Sequence, residues 1–549
     1  MFGHMQNWPL TVDKVIDHAA LNHSTREVVS RSVEGPLVRT TYGEIRVRAK
    51  MVSAALKAEG IGLGDRVATL AWNTARHIET WYGAMGIGAV LHTLNPRLFP
   101  EQIAWIANHA EDKILITDLT FLPIVEAIAA SIPSLKRVVV LTDAAHMPAT
   151  KLTNAVAYEE WIAGRTLETA WGGFDENTAC GLCYTSGTTG NPKGVLYSHR
   201  SNLLHTFMTM GTDVMGLSAR DTVLAVVPMF HANAWGLAFS AAAVGAKFVL
   251  PGAKMDGASI HELLETEAVT MTAAVPTVWL MLLQHLEATK GKLSTLKRVV
   301  IGGSAVPERI LRAFEDDFGV EVVHAWGMTE TSPLGTLATM NAEGAALPRD
   351  EQVKLKLKQG RPPFGIEIKT VDDDGALKPR DGSSAGRLMV RGPTVAAAYF
   401  KGDGGNILDE EGYFDTGDVA NLDRDGFMQI TDRAKDVIKS GGEWISSIDI
   451  ENIAVGAPGV ACAAVIGLYH PKWDERPLLI VELAQGAETS KEAILGYLEG
   501  KIAKWWTPDD VVFIDKVPLG ATGKINKVAL REHYKDHVLP SVTPKQAAE

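Results

Sequence analysis

Short apolar runs alternate with amphipathic stretches through the first part of the chain. Residues 67–70 form an apolar strand pattern, residues 74–86 a helix pattern and residues 89–93 a second strand pattern. A strand, a helix and a strand at this spacing predict a βαβ unit with a parallel sheet. Further strand patterns occur at 113–117, 137–141, 221–227, 247–250 and 297–301, and further helix patterns at 201–210, 260–267 and 278–288. The sequence therefore predicts a large α/β region built on parallel sheets.

The pattern changes near residue 360, where short strand patterns are separated by Gly, Asp and Pro. Residues 365–371, 386–391 and 426–431 are examples. Many short strands with turn residues between them indicate antiparallel pairing. We therefore expect a small antiparallel or barrel-like section after the parallel sheets.

A last segment begins near residue 433 and has helix and strand patterns of its own, including a helix predicted at 491–503. Its length of roughly 115 residues is normal for a domain. We therefore predict an α/β protein with a large N-terminal domain over residues 1–432 and a small α+β domain over residues 433–549.

Composition and charge narrow the possible functions. The 549 residues are 46% hydrophobic and 21% charged, which is ordinary for a soluble globular protein. A net charge of −12 disfavours nucleic acid or an anionic membrane as a partner. The longest apolar run, residues 234–246, is too short to span a bilayer, and residues 1–8 lack the features of a signal peptide. We expect a cytoplasmic protein with no integral membrane segment.

The three cysteines give no disulfide framework, which fits a reducing compartment. Cys180 and Cys183 have CxxC spacing, but the second pair that a zinc site needs is absent from the sequence. Residues three apart on a strand also face opposite sides. We interpret both as small core residues.

A loop of glycines and hydroxyl side chains follows the apolar run 179–184 and ends in a lysine. Glycines let backbone N–H groups turn toward an anion, and hydroxyls and an ammonium add donors for phosphate oxygens. The lysine is followed by Gly194 rather than Ser or Thr, so the loop is not a Walker A motif. An ordinary surface turn is the alternative, but the length of the pattern favours a phosphate loop with ATP as the ligand. Its residues are Thr185, Ser186, Gly187, Thr188, Thr189, Gly190 and Lys193.

Four other stretches carry groups that could complete a nucleotide site. Residues 228–236 place a histidine among large apolar residues, and residues 301–305 run from a strand into a Gly-Gly turn where backbone could approach a flat ligand. Residues 324–331 offer on one loop an aromatic ring, a hydroxyl and a carboxylate that could bind Mg²⁺. Residues 413–418 end in a carboxylate that could accept hydrogen bonds from both ribose hydroxyls. Singly, each could instead be structural: a core histidine, a strand-to-turn junction or a solvated acidic turn.

Together these motifs resemble the ANL superfamily of adenylate-forming enzymes, and within it the acyl-CoA synthetase branch. The resemblance runs from residues 41–44 to residues 523–525 and is strongest to bacterial medium-chain acyl-CoA ligases and methylmercaptopropionate-CoA ligases. It implies that ATP and a carboxylic acid form an acyl-adenylate and pyrophosphate, and that a thiol then displaces AMP. ATP, Mg²⁺ and coenzyme A are the implied cofactors and co-substrates, and a homodimer is common among similar enzymes.

The resemblance also implies roles for individual residues of the nucleotide site. The loop from Thr185 to Lys193 would hold the β- and γ-phosphates, Thr329 would contact the α-phosphate, and Glu330 with Thr185 would bind Mg²⁺. Similar enzymes more often have Tyr at the position of Trp326, so a hydroxyl contact is lost here. The implied residues around adenine and ribose are Gly303, Ser304, His324, Ala325, Trp326, Gly327, Met328, Asp418, Ile430 and Arg433.

In similar enzymes the C-terminal domain is mobile and pivots at a residue that matches Lys435. Lys524 matches the lysine that reaches the acid and the α-phosphate during adenylation. In the thiol-transfer pose a different loop would face CoA, formed by Lys439, Gly441, Gly442, Glu443 and Trp444. Ser447 and Asp449 depart from the Pro and Glu usual in the family, but both are good helix caps, so we expect no loss of function.

The resemblance places the acyl pocket at His231, Trp235, Ala274, Val275, Gly302, Met328 and Pro333. No Asp or Lys stands where amino-acid-activating relatives bind an amine and carboxylate, which argues against an amino-acid substrate. The Trp235 indole would shorten the pocket and favour short or medium acids, with 3-methylthiopropionate as a candidate. Three alternatives stay open: adenylation with a luciferase-type or carrier-loading second step, a long-chain or aryl acid CoA ligase, and a nucleotide-binding regulator without turnover.

Overall fold

A computed structural model describes residues 3–185, 191–433, 436–440, 443–520 and 524–542. The predicted alternation of strands and helices is present through the N-terminal part, the described residues up to 433. Its strands are β1 (Glu27–Arg31), β2 (Leu37–Thr41), β3 (Arg66–Leu70), β4 (Val90–Thr93), β5 (Ile114–Thr117), β6 (Arg137–Val140), β7 (Ala155–Ala157), β8 (Ala179–Tyr184), β9 (Gly194–Ser198), β10 (Thr222–Ala225), β11 (Lys247–Leu250), β12 (Met271–Ala274), β13 (Arg298–Ile301), β14 (Glu321–Gly327), β15 (Leu334–Leu337), β16 (Glu367–Val371), β17 (Gly386–Arg391), β18 (Phe414–Leu422) and β19 (Met428–Arg433).

Helices connect most of the parallel strands. They are α1 (Asp13–Asn22), α2 (Tyr42–Ala58), α3 (Ala75–Gly86), α4 (Pro100–Ala110), α5 (Leu122–Ile128), α6 (Tyr158–Ile162), α7 (His199–Met210), α8 (Leu237–Val244), α9 (Gly257–Thr266), α10 (Pro276–Thr289), α11 (Glu308–Arg312), α12 (Ala342–Ala345) and α13 (Arg349–Leu357). Side-chain caps start several of them: Thr41 accepts the Glu44 N–H at 3.3 Å to begin α2, and Asp256 accepts the Ser259 N–H at 3.0 Å to begin α9. The longest apolar run becomes α8, and no helix among the described residues is both long and apolar enough to cross a membrane.

Two large sheets carry the N-terminal part, as predicted. One has the order β7-β6-β5-β3-β4-β8-β9 and is parallel except for β9; the other has the order β15-β14-β13-β12-β10-β11-β1-β2, with antiparallel strands at both edges. Strands such as β5 and β12 are buried along their whole length. Parallel strands covered on both faces show continuous apolar runs, which is why the sequence revealed them.

The third sheet confirms the antiparallel section. Its order is β16-β17-β18-β19, and every neighbouring pair is antiparallel. The register sets Asp418 on β18 directly opposite Arg433 on β19. This sheet therefore delivers a carboxylate and a guanidinium to the same point.

The C-terminal part, the described residues from 436 onward, has its own sheet and its own core. Its elements are β20 (Ile438–Ser440), β21 (Glu443–Ile445), α14 (Ser447–Ala454), β22 (Val460–His470), β23 (Asp474–Leu483), α15 (Lys491–Leu498), β24 (Asp510–Phe513) and α16 (Lys527–His533). Residues such as Ile450, Val465 and Leu479 form a core with partners drawn from this part of the chain alone. The described residues from 436 onward therefore pack around a core of their own, and strand β19 of the N-terminal part runs to Arg433.

Three local predictions need correction. Strand β9 was not predicted: it lies between the phosphate loop and α7 and pairs antiparallel with β8. Residues 324–327 belong to strand β14 rather than to a loop. The helix predicted at 491–503 ends at Leu498, and Gly500 follows with a φ of +75°, a left-handed conformation that a helix cannot continue through.

Candidate active site

The predicted phosphate loop joins two paired strands. The Thr185 N–H donates to the Lys193 carbonyl oxygen at 2.9 Å, and the Lys193 N–H donates to Thr185 Oγ1 at 3.3 Å. These bonds extend the β8–β9 pairing by one step and close the base of the loop. The Lys193 ammonium lies 4.8 Å from the centroid of the Tyr399 ring. The predicted ligands Ser186, Gly187, Thr188, Thr189 and Gly190 lie outside the described residues.

A short 3₁₀ turn after β14 carries the predicted Thr329 and Glu330. The Thr329 carbonyl oxygen accepts a hydrogen bond of 2.7 Å from the Tyr197 hydroxyl, so β9 ties this turn to the phosphate hairpin. Glu330 is only 5% exposed, and its Oε1 accepts a hydrogen bond of 2.6 Å from the Tyr399 hydroxyl. Burial raises the pKa of Glu330, and the bond from Tyr399 partly opposes that shift. The result is a largely desolvated carboxylate held in a fixed orientation.

The predicted ribose carboxylate, Asp418, is held by two donors. Trp326 Nε1 donates to Asp418 Oδ2 at 2.9 Å, and Arg433 Nε lies 2.8 Å from Asp418 Oδ1. Each carboxylate oxygen can accept more than one hydrogen bond, so both keep capacity for ligand hydroxyls. The indole that replaces the usual Tyr therefore supplies a donor of its own, and the ring packs so closely on Gly335 that a Cβ there would lie 2.3 Å from Trp326 Cζ3.

The predicted adenine-flanking residues come from two neighbouring strands. Gly303 has a φ of +87°, which lets the chain turn sharply after β13 and places the exposed Ser304 beyond the turn. His324 on β14 is fully buried, and its Nδ1 lies 3.1 Å from the Leu357 carbonyl oxygen. Burial lowers the pKa of His324 to about 4, so the ring is neutral at neutral pH.

Close backbone approaches shape the same wall. A Cβ at Gly327 would lie 1.9 Å from the Pro333 carbonyl oxygen, so only glycine fits there. Ala325 lies two residues before Gly327 on β14. Met328, which follows Gly327 directly, donates its N–H to the Pro333 carbonyl oxygen at 3.0 Å. Ile430, on β19, is fixed by its own N–H, which donates to Gln359 Oε1 at 2.6 Å.

The predicted acyl-pocket residues meet at the carboxyl ends of β12 and β13. Trp235 packs over Gly302, where a Cβ would lie 3.2 Å from Trp235 Cη2. Val275, which follows Ala274 at the end of β12, packs over Gly303 in the same way. A Cβ at Gly303 would lie 3.0 Å from Val275 Cγ1. Glycine at 302 therefore leaves room for the edge of the Trp235 indole beside the turn after β13.

The segment that carries the indole has unusual backbone geometry. Ala232, Ala234 and Trp235 have φ values of +43°, +50° and +54°. Non-glycine residues in this region are strained, and such strain concentrates at binding sites. The surrounding protein, with a smaller effect from Lys524 and Arg97, lowers the pKa of the preceding His231 to about 4. The imidazole is therefore neutral at neutral pH.

Lys524 adds a charge from the C-terminal part to this group of residues. The Lys524 charge interacts electrostatically with His231 and with the charged groups of Arg433, Asp418 and Glu330. The side chain is accessible to solvent, yet protein surrounds it closely. Desolvation by the surrounding protein, and to a smaller extent repulsion from Arg433, lowers the pKa of Lys524 to about 8. The charge of one lysine of the C-terminal part therefore acts on the predicted ribose, metal and acyl groups together.

The residues predicted to face CoA are only partly described. Lys439 is exposed on β20, and its N–H donates to Glu475 Oε2 at 2.9 Å within the C-terminal part. Gly441 and Gly442 lie outside the described residues, as does the predicted pivot Lys435. Glu443 and Trp444 lie on β21, and their side chains are also outside the description.

The structure revises the interpretation of Ser447 and Asp449. Ser446, not Ser447, caps α14, because its Oγ accepts the Asp449 N–H at 3.1 Å. Ser447 instead accepts a hydrogen bond of 2.5 Å from Lys527 Nζ and donates its own N–H to Asp432 Oδ2 at 2.7 Å. Serine at this position therefore makes two polar contacts that proline could not make, one with Lys527 on α16 and one with Asp432 on β19.

Sequence reasoning missed Tyr197, Tyr399 and Gln359. Each contacts a predicted site residue from a distant part of the chain: Tyr197 and Thr329 are 132 positions apart, and Tyr399 and Glu330 are 69 apart. A lone tyrosine or glutamine in a strand or loop carries no spacing signal, so no local pattern could have identified them.

Comparison with known proteins identifies the family of the chain. A family model described as AMP-binding enzyme matches residues 16–400, and one described as AMP-binding enzyme C-terminal domain matches residues 449–524. A 3-methylmercaptopropionyl-CoA ligase of Ruegeria lacuscaerulensis is 50% identical over 536 residues, covering 98% of this chain and 99% of the relative. A medium-chain-fatty-acid–CoA ligase of Ectopseudomonas oleovorans is 48% identical over 541 residues, with coverage of 98% and 99%.

A solved structure shares the fold. The anthranilate CoA ligase AuaEII, crystallised with anthranoyl-AMP, superposes with a TM-score of 0.84 at 24% identity and covers 96% of this chain and 99% of its own. Identity this low shows the fold alone, whereas the family models and the relatives at about half identity cover both parts of the chain. The chain belongs to the AMP-binding enzyme family, and it is an acid–thiol ligase of the AMP-forming acyl-CoA synthetase type.

Proposed function

We propose that the chain joins a short or medium-chain carboxylic acid to coenzyme A through an acyl-adenylate, with 3-methylthiopropionate as a candidate substrate. The observation that carries this proposal is the convergence of Lys524 on Glu330, Asp418 and His231. A cation from the C-terminal part thus acts electrostatically on residues of the nucleotide site and of the acyl pocket. Adenylation needs that arrangement, because a carboxylate and a phosphate approach each other there.

In the first step, the loop from Thr185 to Lys193 holds the β- and γ-phosphates and Thr329 contacts the α-phosphate. Asp418 accepts hydrogen bonds from the ribose hydroxyls. Glu330 and Thr185 would hold Mg²⁺; their hard oxygen donors suit that ion. When bound, Mg²⁺ would offset phosphate charge. Lys524 stabilises the charge that develops as the acid oxygen attacks the α-phosphorus and pyrophosphate leaves.

In the second step the CoA thiol attacks the acyl carbonyl and AMP leaves. We assign this step to a second arrangement of the two proposed domains, residues 1–432 and 433–549. The C-terminal domain would reach it by rotating about Lys435. It would bring Lys439 and residues 441–444 to the site. The exposure of Lys439 supports this assignment, since an exposed lysine is free to enter a new contact.

Trp235 supports the choice of acid. Its indole approaches Gly302, another residue of the predicted pocket, and would limit chain length. The relatives at about half identity are named for 3-methylmercaptopropionate and for medium-chain fatty acids. An apolar pocket discriminates by only about 1–3 kcal/mol per methylene. We therefore expect activity across neighbouring chain lengths, with a maximum at short to medium acids.

The test is AMP release with ATP, Mg²⁺ and a panel of acids, run with and without CoA. The panel holds acetate, butyrate, hexanoate, 3-methylthiopropionate, decanoate and cinnamate. We expect CoA-dependent AMP release with a maximum at short to medium acids. AMP release that ignores CoA would support a different acceptor, and a maximum at decanoate or cinnamate would overturn the proposed substrate class.

A Trp235→Ala variant tests the pocket itself. Removing the indole should lengthen the preferred chain and raise the decanoate-to-hexanoate ratio of kcat/KM by about tenfold or more. The control is Trp8→Ala, which removes an indole that is 52% exposed near the N-terminus. An unchanged chain-length profile in Trp235→Ala would remove this residue from the pocket.

A further inference from the structure

A segment of the chain from 394 to 404 runs between the Glu330 turn and the phosphate hairpin. The Ala396 N–H donates to the Glu330 carbonyl oxygen at 2.8 Å, and Ser332 Oγ donates to the Thr394 carbonyl oxygen at 2.7 Å. At its other end, a Cβ at Gly404 would lie 2.8 Å from Lys193 Nζ. The segment is therefore held against both predicted phosphate-binding elements.

Tyr399 lies in the middle of this segment and touches one charged group from each element. Its hydroxyl donates to Glu330 Oε1 at 2.6 Å, and its ring faces the Lys193 ammonium at 4.8 Å from the centroid. Hydrogen bonds to a carboxylate are among the strongest in proteins, and an aromatic face attracts an ammonium. One side chain thus holds a carboxylate by its hydroxyl and a lysine by its ring.

The bond from Tyr399 has a geometric consequence for Glu330. The carboxylate is almost fully buried, so its orientation depends on the few groups around it. With Oε1 accepting from Tyr399, rotation of the carboxylate is restricted and the direction of Oε2 is constrained. A ligand oxygen with a fixed direction binds a metal ion more tightly than one that must be ordered on binding.

We propose that Tyr399 is a positioning residue that orients Glu330 for the divalent cation of the nucleotide and keeps Lys193 beside the phosphates. This inference rests on the proposed function, because it assumes that Glu330 binds Mg²⁺ together with ATP. It assigns the hydroxyl and the ring separate tasks. The hydroxyl serves the carboxylate of Glu330, and the ring serves the ammonium of Lys193.

The two tasks can be separated by substitution. Tyr399→Phe removes the hydroxyl and keeps the ring, so ATP binding in EDTA should change less than twofold. The gain in ATP affinity on adding Mg²⁺ should be largely lost, and the Mg²⁺ concentration for half of that gain should rise about 10–100-fold, as for other groups that support a metal ligand. Tyr399→Leu removes both groups and should also weaken ATP binding in EDTA.

A matched control is available on the third sheet. The Tyr413 hydroxyl donates to Glu367 Oε2 at 3.1 Å, so Tyr413→Phe also deletes one tyrosine–glutamate bond, but at a carboxylate whose side chain is 57% exposed. Its Mg²⁺ dependence should equal that of the wild type. Glu330→Gln should reproduce the effect of Tyr399→Phe, and combining the two should add little, since both act on the same ligand.

The measurement is calorimetric titration of the full-length protein with ATP, in EDTA and across a series of Mg²⁺ concentrations. A Tyr399→Phe protein with wild-type Mg²⁺ dependence would overturn the inference, as would equal losses with and without Mg²⁺. A wild-type protein that binds no ATP, or binds it identically in EDTA and Mg²⁺, would instead contradict the proposed function. If Tyr399→Phe does not fold, Glu330→Gln still decides whether this carboxylate serves Mg²⁺.

Discussion

Lys524 and Lys527 lie three residues apart in the C-terminal part of the chain, and their surroundings are opposite. Lys527 Nζ contacts Glu451 Oε1 at 2.8 Å and Ser447 Oγ at 2.5 Å, and its side chain is only 10% exposed. Burial lowers the pKa of Lys527, but the carboxylates of Glu451 and Asp432 outweigh that effect, so its pKa is raised. Its charge is already satisfied by the protein.

Lys524 is accessible to solvent, and crowding with the repulsion from Arg433 lowers its pKa to about 8. The carboxylates of Asp418 and Glu330 pull in the other direction without reversing the shift. Anionic substrates arriving in the cleft would therefore relieve an unfavourable environment for this ammonium. A group whose charge the free protein disfavours can gain more from the substrate than one whose charge is already paired.

The contrast shows how one short stretch serves two purposes. The Lys527 cluster reaches Asp432 through Ser447, and Asp432 is fully buried at the end of β19. It therefore joins the last strand of the N-terminal part to α14 and α16. We infer that this cluster fixes the base of the C-terminal part, while Lys524 is left free for chemistry.

The largest effect is expected from Lys527→Met, which leaves Glu451 and Asp432 buried without their cation. Removing one partner of a buried ion pair lowers stability by about 3–5 kcal/mol. Urea unfolding of the full-length protein should show this loss. The control is Lys535→Met, since Lys535 and Glu532 form an exposed pair with side chains 58% and 73% accessible and should change stability little. Equal losses in both variants would contradict a special role for the cluster.

The next effect is expected from Lys524→Ala. Adenylation should fall by about 10²–10³-fold, as when one preorganised charge-stabilising group is removed from an active site. Thioester formation from supplied acyl-AMP should survive, because Lys524 is assigned only to the first step. Pyrophosphate release and CoA acylation measure the two half-reactions separately. If both half-reactions fall equally, the assignment to adenylation is wrong.

The smallest effect is expected from pH. Lys524 is charged below its pKa, so kcat/KM for adenylation should stay level near neutrality and decline as pH rises through about 8. His231, with a pKa near 4, should add no inflection between pH 6 and 8. In Lys524→Arg the residual adenylation should lack the decline, because arginine stays protonated. A decline that persists in that variant would have to come from another group.

The sequence predicted most of the fold, because the fold depends on local patterns. Continuous apolar runs such as β5 are readable from neighbouring residues alone. The strand β9 was missed because Gly194–Ser198 is short and mixes apolar with polar residues directly after the loop. The helix α15 was predicted to end at residue 503 because the alternation of apolar and polar residues continues past Gly500. The backbone turns at Gly500, and the helix ends at Leu498.

The candidate site also contains residues that local motifs predict and residues that only distant contacts reveal. The phosphate loop, the turn with Thr329 and Glu330, and Asp418 could be proposed from motifs, since each motif lies within a few consecutive residues. The donors that hold them could not. Trp326 and Asp418 are 92 positions apart, and nothing near either residue indicates that the indole N–H reaches the carboxylate.

The sequence by itself determined most of the strands and helices, the residue types of the loop, and the presence of two lysines near residue 525. Hydrophobic period and turn chemistry act over a few residues, so those features needed no distant partner. The tertiary structure alone decided which lysine is paired and which faces the cleft, and it alone placed Tyr399 between Lys193 and Glu330. Charge pairing and burial depend on groups that are far apart along the chain and meet only when it folds.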